Sequence, residues 1–218
     1  LGLTLSGDVK AVGPSGSIKT GFALVPHLSV GSIEVDSQPM VVLEIAELMR
    51  RNIGTEPAGI LGYDFISRFV TRVDFAREEI TFFRPESFIY SGPGHAIPMS
   101  IENNIPAVEM EVDGKYRGQW RLDIGAAVSV FHHHAVEEFG LAARTGVERV
   151  AAGMGGKQRH RLVRFADAEL AGFKIKRPVI SVPLEAGPGA LSGTSVLGTV
   201  GNSVLHNFVL YLDYQGSR

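Results

Sequence analysis

Apolar residues along this chain recur mostly at alternate positions, in short runs broken by turn residues. Val9–Val12 and Ser17–Leu24 flank Gly13-Pro14-Ser15-Gly16 and predict a hairpin with a turn-rich tip. Leu28–Val35 brackets Gly31 and predicts a second strand pair. Met40–Leu48 is apolar, with Glu44 and Glu47 spaced by three, and is expected to begin as a strand and end as a helical turn. Phe65–Phe69 predicts a short helix capped by Asp64, and Val70–Phe75 with Ile80–Phe83 predicts a hairpin. Residues Arg84–Asn104 hold three prolines and two glycines and read as a connection. Val108–Val112, a turn at Asp113-Gly114 and Arg117–Leu122 follow, then a helical stretch from His132 to Phe139. Val147–Ala152 and His160–Phe165 flank Gly153-Met154-Gly155-Gly156, and Leu170–Pro183 predicts another strand pair. The pattern is all-β with short helices.

The pattern also repeats. Leu1-Gly2-Leu3 matches Phe139-Gly140-Leu141 at an offset of 138. Phe69 and Asp74-Phe75 match Phe208 and Asp213-Tyr214 at 139. Gly59-Ile60-Leu61-Gly62 matches Ser195-Val196-Leu197-Gly198 at 136, which asks for three extra residues within Thr199–Ser203. A near-constant offset is what a duplicated unit produces. It divides the chain into a first lobe over residues 1–83, a connection over 84–104 and a second lobe over 105–218.

Composition narrows the function classes. The chain has 218 residues, enough for one large domain or two small lobes with adequate cores. Hydrophobic residues make up 44% and the net charge is −2, so no gross electrostatic partner is indicated. The 26 glycines and 11 prolines suit many turns between short strands. With no cysteine, neither a disulfide nor a thiolate metal site can form, and the compartment stays open. No apolar run reaches the ~20 residues of a membrane-spanning helix. The chain starts with Leu rather than Met and shows no signal peptide; a removed targeting segment would favour an extracytoplasmic place.

The chemistry concentrates at Leu122-Asp123-Ile124-Gly125-Ala126. The strand Arg117–Leu122 runs into this turn, so a carboxylate stands at a tight corner between a strand and the helical stretch. Gly125 lets the backbone turn where a Cβ would clash. These residues, with the repeat, resemble the retropepsin and pepsin group of aspartic peptidases, whose catalytic turn reads Asp-Thr/Ser-Gly-Ala/Ser. Ile124 departs from that pattern at the hydroxyl position.

The resemblance covers nearly the whole chain and implies a two-lobed acid-protease-like fold with a pseudo-twofold axis, each lobe giving one catalytic turn, one flap and one apolar-apolar-Gly segment. By that reading Asp123 is one member of a catalytic pair, supported by Ile124, Gly125 and Ala126. Gly153, Met154, Gly155 and Gly156 form a substrate-binding flap. Ile60-Leu61-Gly62 and Val196-Leu197-Gly198 underlie the turns. Two adjacent carboxyls share a proton; the charged one activates a water and the other polarises the peptide carbonyl. The repeat puts the partner aspartate about 15 residues before Leu1. Asp8, Asp36, Asp64 and Asp74 all lack a following x-Gly and are poor substitutes. The tail, Tyr211–Gly216, reads as a strand and turn without a returning strand.

The expected partner is a peptide or protein substrate, with no cofactor and no nucleic acid, and self-association left open. The alternative is a noncatalytic peptide-binding or scaffold protein on the same fold. The basic run Lys157–Arg164 lacks interleaved aromatics and reads as a charge-protected strand edge. His132-His133-His134 lacks ligand spacing for a metal and reads as the exposed start of a helix. Asp64, Asp74 and Asp213 read as cap and turn residues.

Overall fold

The fold was analysed in a computed structural model that describes residues 3–218. The first of the repeat matches, Leu1-Gly2-Leu3, therefore falls partly outside the described residues. The chain is all-β with short helices, as its alternation implies. Among the described residues no helix is long and apolar enough to cross a membrane.

Two compact units form. One comprises the chain up to Ala58 together with Ala151–Gln158 and Gly187–Ala190. Its body is an antiparallel meander of β1 (Ser6–Gly13), β2 (Gly16–Val30) and β3 (Ile33–Val41), followed by helix α1 (Ala46–Ile53). Gly54 ends α1 in the left-handed region, its N–H donating to the Arg50 carbonyl. This unit buries little: Ala23 and Val35 are its buried apolar residues, while Phe22, Leu24 and Val41 stay exposed and α1 buries no residue.

The other unit comprises Gly59–Val150, Arg159–Ala186 and Leu191–Arg218. It opens with α2 (Tyr63–Ile66), β4 (Val70–Asp74) and β5 (Glu79–Phe83). After the connection come β6 (Ser100–Glu102), β7 (Ile105–Val112), β8 (Tyr116–Leu122), β9 (Ser129–Phe131) and α3 (His133–Glu138). The hairpin β10 (Val147–Gly153) and β11 (Gly156–Arg164) follows, its tip lying in the first unit. Then come β12 (Asp167–Leu170), β13 (Phe173–Lys176), β14 (Val179–Pro183), β15 (Gly198–Val200), α4 (Asn202–Leu205) and β16 (Val209–Asp213). The segment expected to give one strand pair over Leu170–Pro183 thus gives the ends of two, with β12 and β13 as a hairpin and β14 paired to β11.

The main sheet runs β10-β11-β14-β9-β15-β8-β7-β12-β13, with β6 on β7. Consecutive strands β8 and β9 do not pair with each other. β15 lies between them, parallel to β8 and antiparallel to β9. The core sits against this sheet: Trp120, Phe131, Phe165, Met110, Leu141 and Ile180 are almost fully buried, and Trp120 meets Phe131 edge to face at 4.7 Å. A second sheet, β16-β4-β5, joins the two segments that the repeat relates.

Three local features follow the repeat closely. α2 and α4 are both four residues long and stand 139 residues apart, each entered through an extended glycine, Gly62 and Gly201. The Asp74 carboxylate accepts the Arg77 N–H at 3.1 Å, and the Asp213 carboxylate accepts the Gly216 N–H at 2.8 Å, again 139 apart. In the meander Phe22 pairs with Val41; in the main sheet Leu162 pairs with Ser181, each residue shifted by 140.

These features correct several sequence expectations. Gly62 corresponds to Gly201 rather than Gly198, so the second apolar-apolar-Gly segment is shifted onto Val200-Gly201 and the offset needs no three-residue insertion. α2 begins at Tyr63 after Gly62, so Asp64 lies inside its first turn and makes no cap. The basic strand β11 is interior to its sheet rather than an edge. Its charges are paired: Arg159 with Glu148 and Glu185, and Arg161 with Glu148 at 2.5 Å.

Candidate active site

β8 carries the chain out of the core and ends at Leu122, which still packs against the buried cluster. Asp123 is the next residue and is exposed. Its N–H donates to the Val200 carbonyl at 3.0 Å, continuing the β8–β15 pairing by one bond past the strand. Its Oδ1 accepts the Gly125 N–H at 2.8 Å, and its carbonyl accepts the Ala126 N–H at 3.2 Å. The carboxylate is thus fixed by the turn that follows it, with its second oxygen free of any such bond to the turn. A Cβ at Gly125 would lie 3.1 Å from that same Oδ1, so a side chain there would crowd the acid.

Ile124 does not leave a buried gap in place of a hydroxyl. Its side chain packs against the hydrophobic core beneath the turn. The turn is instead held through its backbone by the start of α4. The Asn202 N–H donates to the Ala126 carbonyl at 2.8 Å, the Ser203 N–H to Ala127 at 3.1 Å, and the Asn202 side-chain amide to Ile124 at 3.0 Å. Ser129 closes the arrangement: its N–H donates to the Ser203 hydroxyl at 2.9 Å and its hydroxyl accepts the Gly201 N–H at 3.0 Å. Gly201 is required here, because a Cβ would come within 2.6 Å of the Ala126 carbonyl oxygen.

Two tyrosines stand near the acid. Tyr63 and Tyr214 meet edge to face at 5.3 Å. Burial, then Tyr63, then the Asp123 charge push the Tyr214 phenol above its ordinary value, so it stays protonated through the working pH range. Neither tyrosine stood out in the sequence. Tyr63 opens α2 and Tyr214 follows β16, and nothing local marks them as neighbours of Asp123.

His132, His133 and His134 were expected on an exposed helix start. His132 and His133 are buried instead, because β9 carries them directly into the core ahead of α3. His132 Nδ1 lies 3.2 Å from the Gly193 carbonyl and Nε2 3.1 Å from the Thr199 hydroxyl. The carbonyl can only accept, so the proton sits on Nδ1 and Nε2 accepts from Thr199. Desolvation lowers the His132 pKa to about 4. His160, 2.8 Å from the Ser181 hydroxyl, is lowered to about 4 for the same first reason.

The predicted flap residues Gly153, Met154, Gly155 and Gly156 form the tip of the β10–β11 hairpin. Within their unit they meet the other glycine-rich tip, Gly13-Pro14-Ser15-Gly16. A Cβ on Gly16 would lie 2.8 Å from the Gly155 carbonyl oxygen, and one on Gly13 would overlap Met154. The sequence marked both tips as turns, and only one as a flap. Two surface pockets, of about 260 and 440 Å³, line β6–β8 and β7–β12, and neither includes Asp123.

No protein-family model matches the chain, and no curated protein matches it. Among solved structures the chain is similar to a retropepsin-like aspartic protease from Rickettsia conorii, at 17% identity and a TM-score of 0.42, over 54% of this chain and 90% of that one.

Proposed function

We propose that this chain is part of an aspartic endopeptidase and that Asp123 is one of its two catalytic carboxylates. The observation that carries this reading is the Asp123 turn: an exposed carboxylate at the end of β8, hydrogen-bonded to the Gly125 N–H, with β15 threaded between the strands on either side. A carboxylate so placed is fixed in direction and open to solvent, as a general base for water requires.

The partner carboxylate belongs to the first repeat. The shared helix entries at Gly62 and Gly201, the matching Asp74 and Asp213 turns and the shared strand registers support a duplicated unit with lobes over about 1–83 and 105–218. On that basis the second acid stands in a turn upstream of residue 1. In the pair one carboxyl keeps a proton and the other is charged. The charged one takes a proton from water as the oxygen attacks the peptide carbonyl, while the protonated one donates to the carbonyl oxygen. No covalent enzyme intermediate forms. Ile124, Gly125 and Ala126 hold the turn, and the tip Gly153-Met154-Gly155-Gly156 covers an extended peptide together with Gly13–Gly16.

The test is cleavage of a peptide library across pH by protein carrying the upstream turn, against its Asp123→Asn form. Loss of cleavage in Asp123→Asn, with folding intact, is the expected result, since an amide cannot serve as the base. Equal cleavage by both forms would defeat the proposal. Peptide binding by both forms without cleavage by either would favour the noncatalytic reading on the same fold.

A further inference from the structure

Resting on the reading of Asp123 as catalytic, we infer that Asn202 is a positioning residue: its side-chain amide, reaching from α4 to the Ile124 carbonyl, holds the catalytic turn where residue 124 offers no hydroxyl. The bond is 3.0 Å long and joins residues 78 positions apart. It acts beside the two backbone bonds from Asn202 and Ser203 to Ala126 and Ala127. Together they fasten residues 124, 126 and 127 of the turn to one end of one helix.

The orientation of the amide is informative. With Nδ2 donating to Ile124, Asn202 Oδ1 is buried and has no hydrogen-bond partner among the described residues. Turning the amide over would set two carbonyl oxygens against each other. A buried acceptor without a partner is unfavourable, and an apolar side chain of similar shape would avoid it. An asparagine at this position therefore gains from its donor alone, and the donor goes to the turn. The equivalent helix α2 carries Tyr63 at this place, 139 residues earlier, so the amide is not part of what the two short helices need in order to form.

Ile124 gives the same turn its other anchor. Its side chain holds the turn from below, in the core, and Asn202 holds the carbonyl of the same residue from the side. An apolar anchor cannot fix a carbonyl direction, because dispersion contacts are not directional. A hydrogen bond can, and 1 Å of misplacement at a reacting group is enough to slow catalysis about 100-fold.

The discriminating variant is Asn202→Asp, which keeps the shape and, once ionised, has no donor. Asn202→Ala is the second variant, since it removes the donor and the unpaired acceptor together. The first readout is amide hydrogen exchange in the 218-residue chain, which needs no catalysis. Exchange at Gly125 and Ala126 should rise about tenfold while Val163, in the core, stays unchanged. The second readout is peptide cleavage by the form carrying both turns. The kcat should fall about 10- to 100-fold with KM within about twofold, since the turn is placed for the reacting water and not for substrate binding. Unchanged exchange at Gly125 in both variants would overturn the inference, as would equal acceleration at Gly125 and Val163, which marks a merely structural residue. Asp123→Asn with full activity would remove the catalytic reading, and the exchange experiment would still decide whether Asn202 holds the turn.

Discussion

Arg72 and Tyr211 face each other at the centre of the β4–β16 pair, and they are also 139 residues apart in the chain. The flanking pairs, Val70 with Asp213 and Asp74 with Val209, interchange under the same shift. The strand pair is therefore self-complementary, as an isologous contact between two copies of one segment would be. A strand pair formed between unrelated segments has no reason to centre on residues separated by the repeat length.

The two aspartates at the ends of this pair should differ in importance despite matching roles. Asp74 has a side chain only 6% exposed and is paired with the nearly buried Arg72 as well as the Arg77 N–H. Asp213 binds the Gly216 N–H and Arg218, whose side chain is 55% exposed. Asp74→Ala should cost about 2–4 kcal/mol, because it strands a desolvated guanidinium. Asp213→Ala should cost about 1–2 kcal/mol, mainly the lost turn bond. Urea midpoints for the two variants check the order, and a larger loss at Asp213 would refute it.

Ile124→Thr tests what residue 124 does. A hydroxyl there would match the family pattern, yet the isoleucine packs against the core and the Ile124 carbonyl is already bound by Asn202. The substitution removes apolar contacts and places a hydroxyl against apolar neighbours, so stability should fall by about 1–2 kcal/mol. A threonine variant as stable as the parent in thermal unfolding would show that a polar partner for the hydroxyl lies within reach.

Much of this architecture is legible in the sequence because short strands and turns are local. The alternation in Val108–Val112 and Arg117–Leu122, and the glycine tips at Gly13–Gly16 and Gly153–Gly156, follow from backbone and periodicity alone. The Asp123 turn was legible for the same reason. The misplaced features depend on distant partners. Gly198 and Gly201 both follow apolar residues, and only the pairing of β15 with β8 and β9 separates their roles. Three adjacent histidines read as polar surface, yet the direction of β9 sends two of them inward. Asn202 carries no local mark, because its partner lies 78 residues away.

The meeting of the two glycine tips should be intolerant of a single methyl group. Gly155 has φ near +93° and lies against Gly16, where a Cβ would overlap backbone atoms. Gly155→Ala should cost about 1–3 kcal/mol if the contact is kept, or separate the tips if it is not. Hydrogen exchange at Ser15 and Gly16 distinguishes the two. Faster exchange there at unchanged global stability indicates separation, and no change in either quantity would mean the tips do not depend on one another.

The last prediction concerns acid. A shared-proton pair of carboxylates works best below neutral pH, yet the fold holding Asp123 buries neutral histidines. The folded pKa of His132 is about 4, against 6.5 in an unfolded chain, with desolvation the main cause and Arg121, His134 and His133 adding repulsion. The unfolded state therefore binds more protons between these values, and stability is complete above pH 6.5 and is lost as pH falls toward 4. From pH 7 to pH 5 the loss from His132 alone is about 2 kcal/mol. His160, beside Ser181 and facing Arg149 and His133, acts in the same direction. The affected residues hold the site: His132 bonds Thr199, which belongs to the strand under the Asp123 turn. Cleavage should accordingly have its acid limit set by loss of structure near pH 4–5, above the range in which a carboxylate pair alone would fail. His132→Gln, which can donate to Gly193 and accept from Thr199 without titrating, should flatten the stability curve between pH 7 and pH 5 by about 2 kcal/mol. Urea unfolding at the two pH values gives the comparison. If the variant and the parent lose the same stability on acidification, His132 does not set the limit.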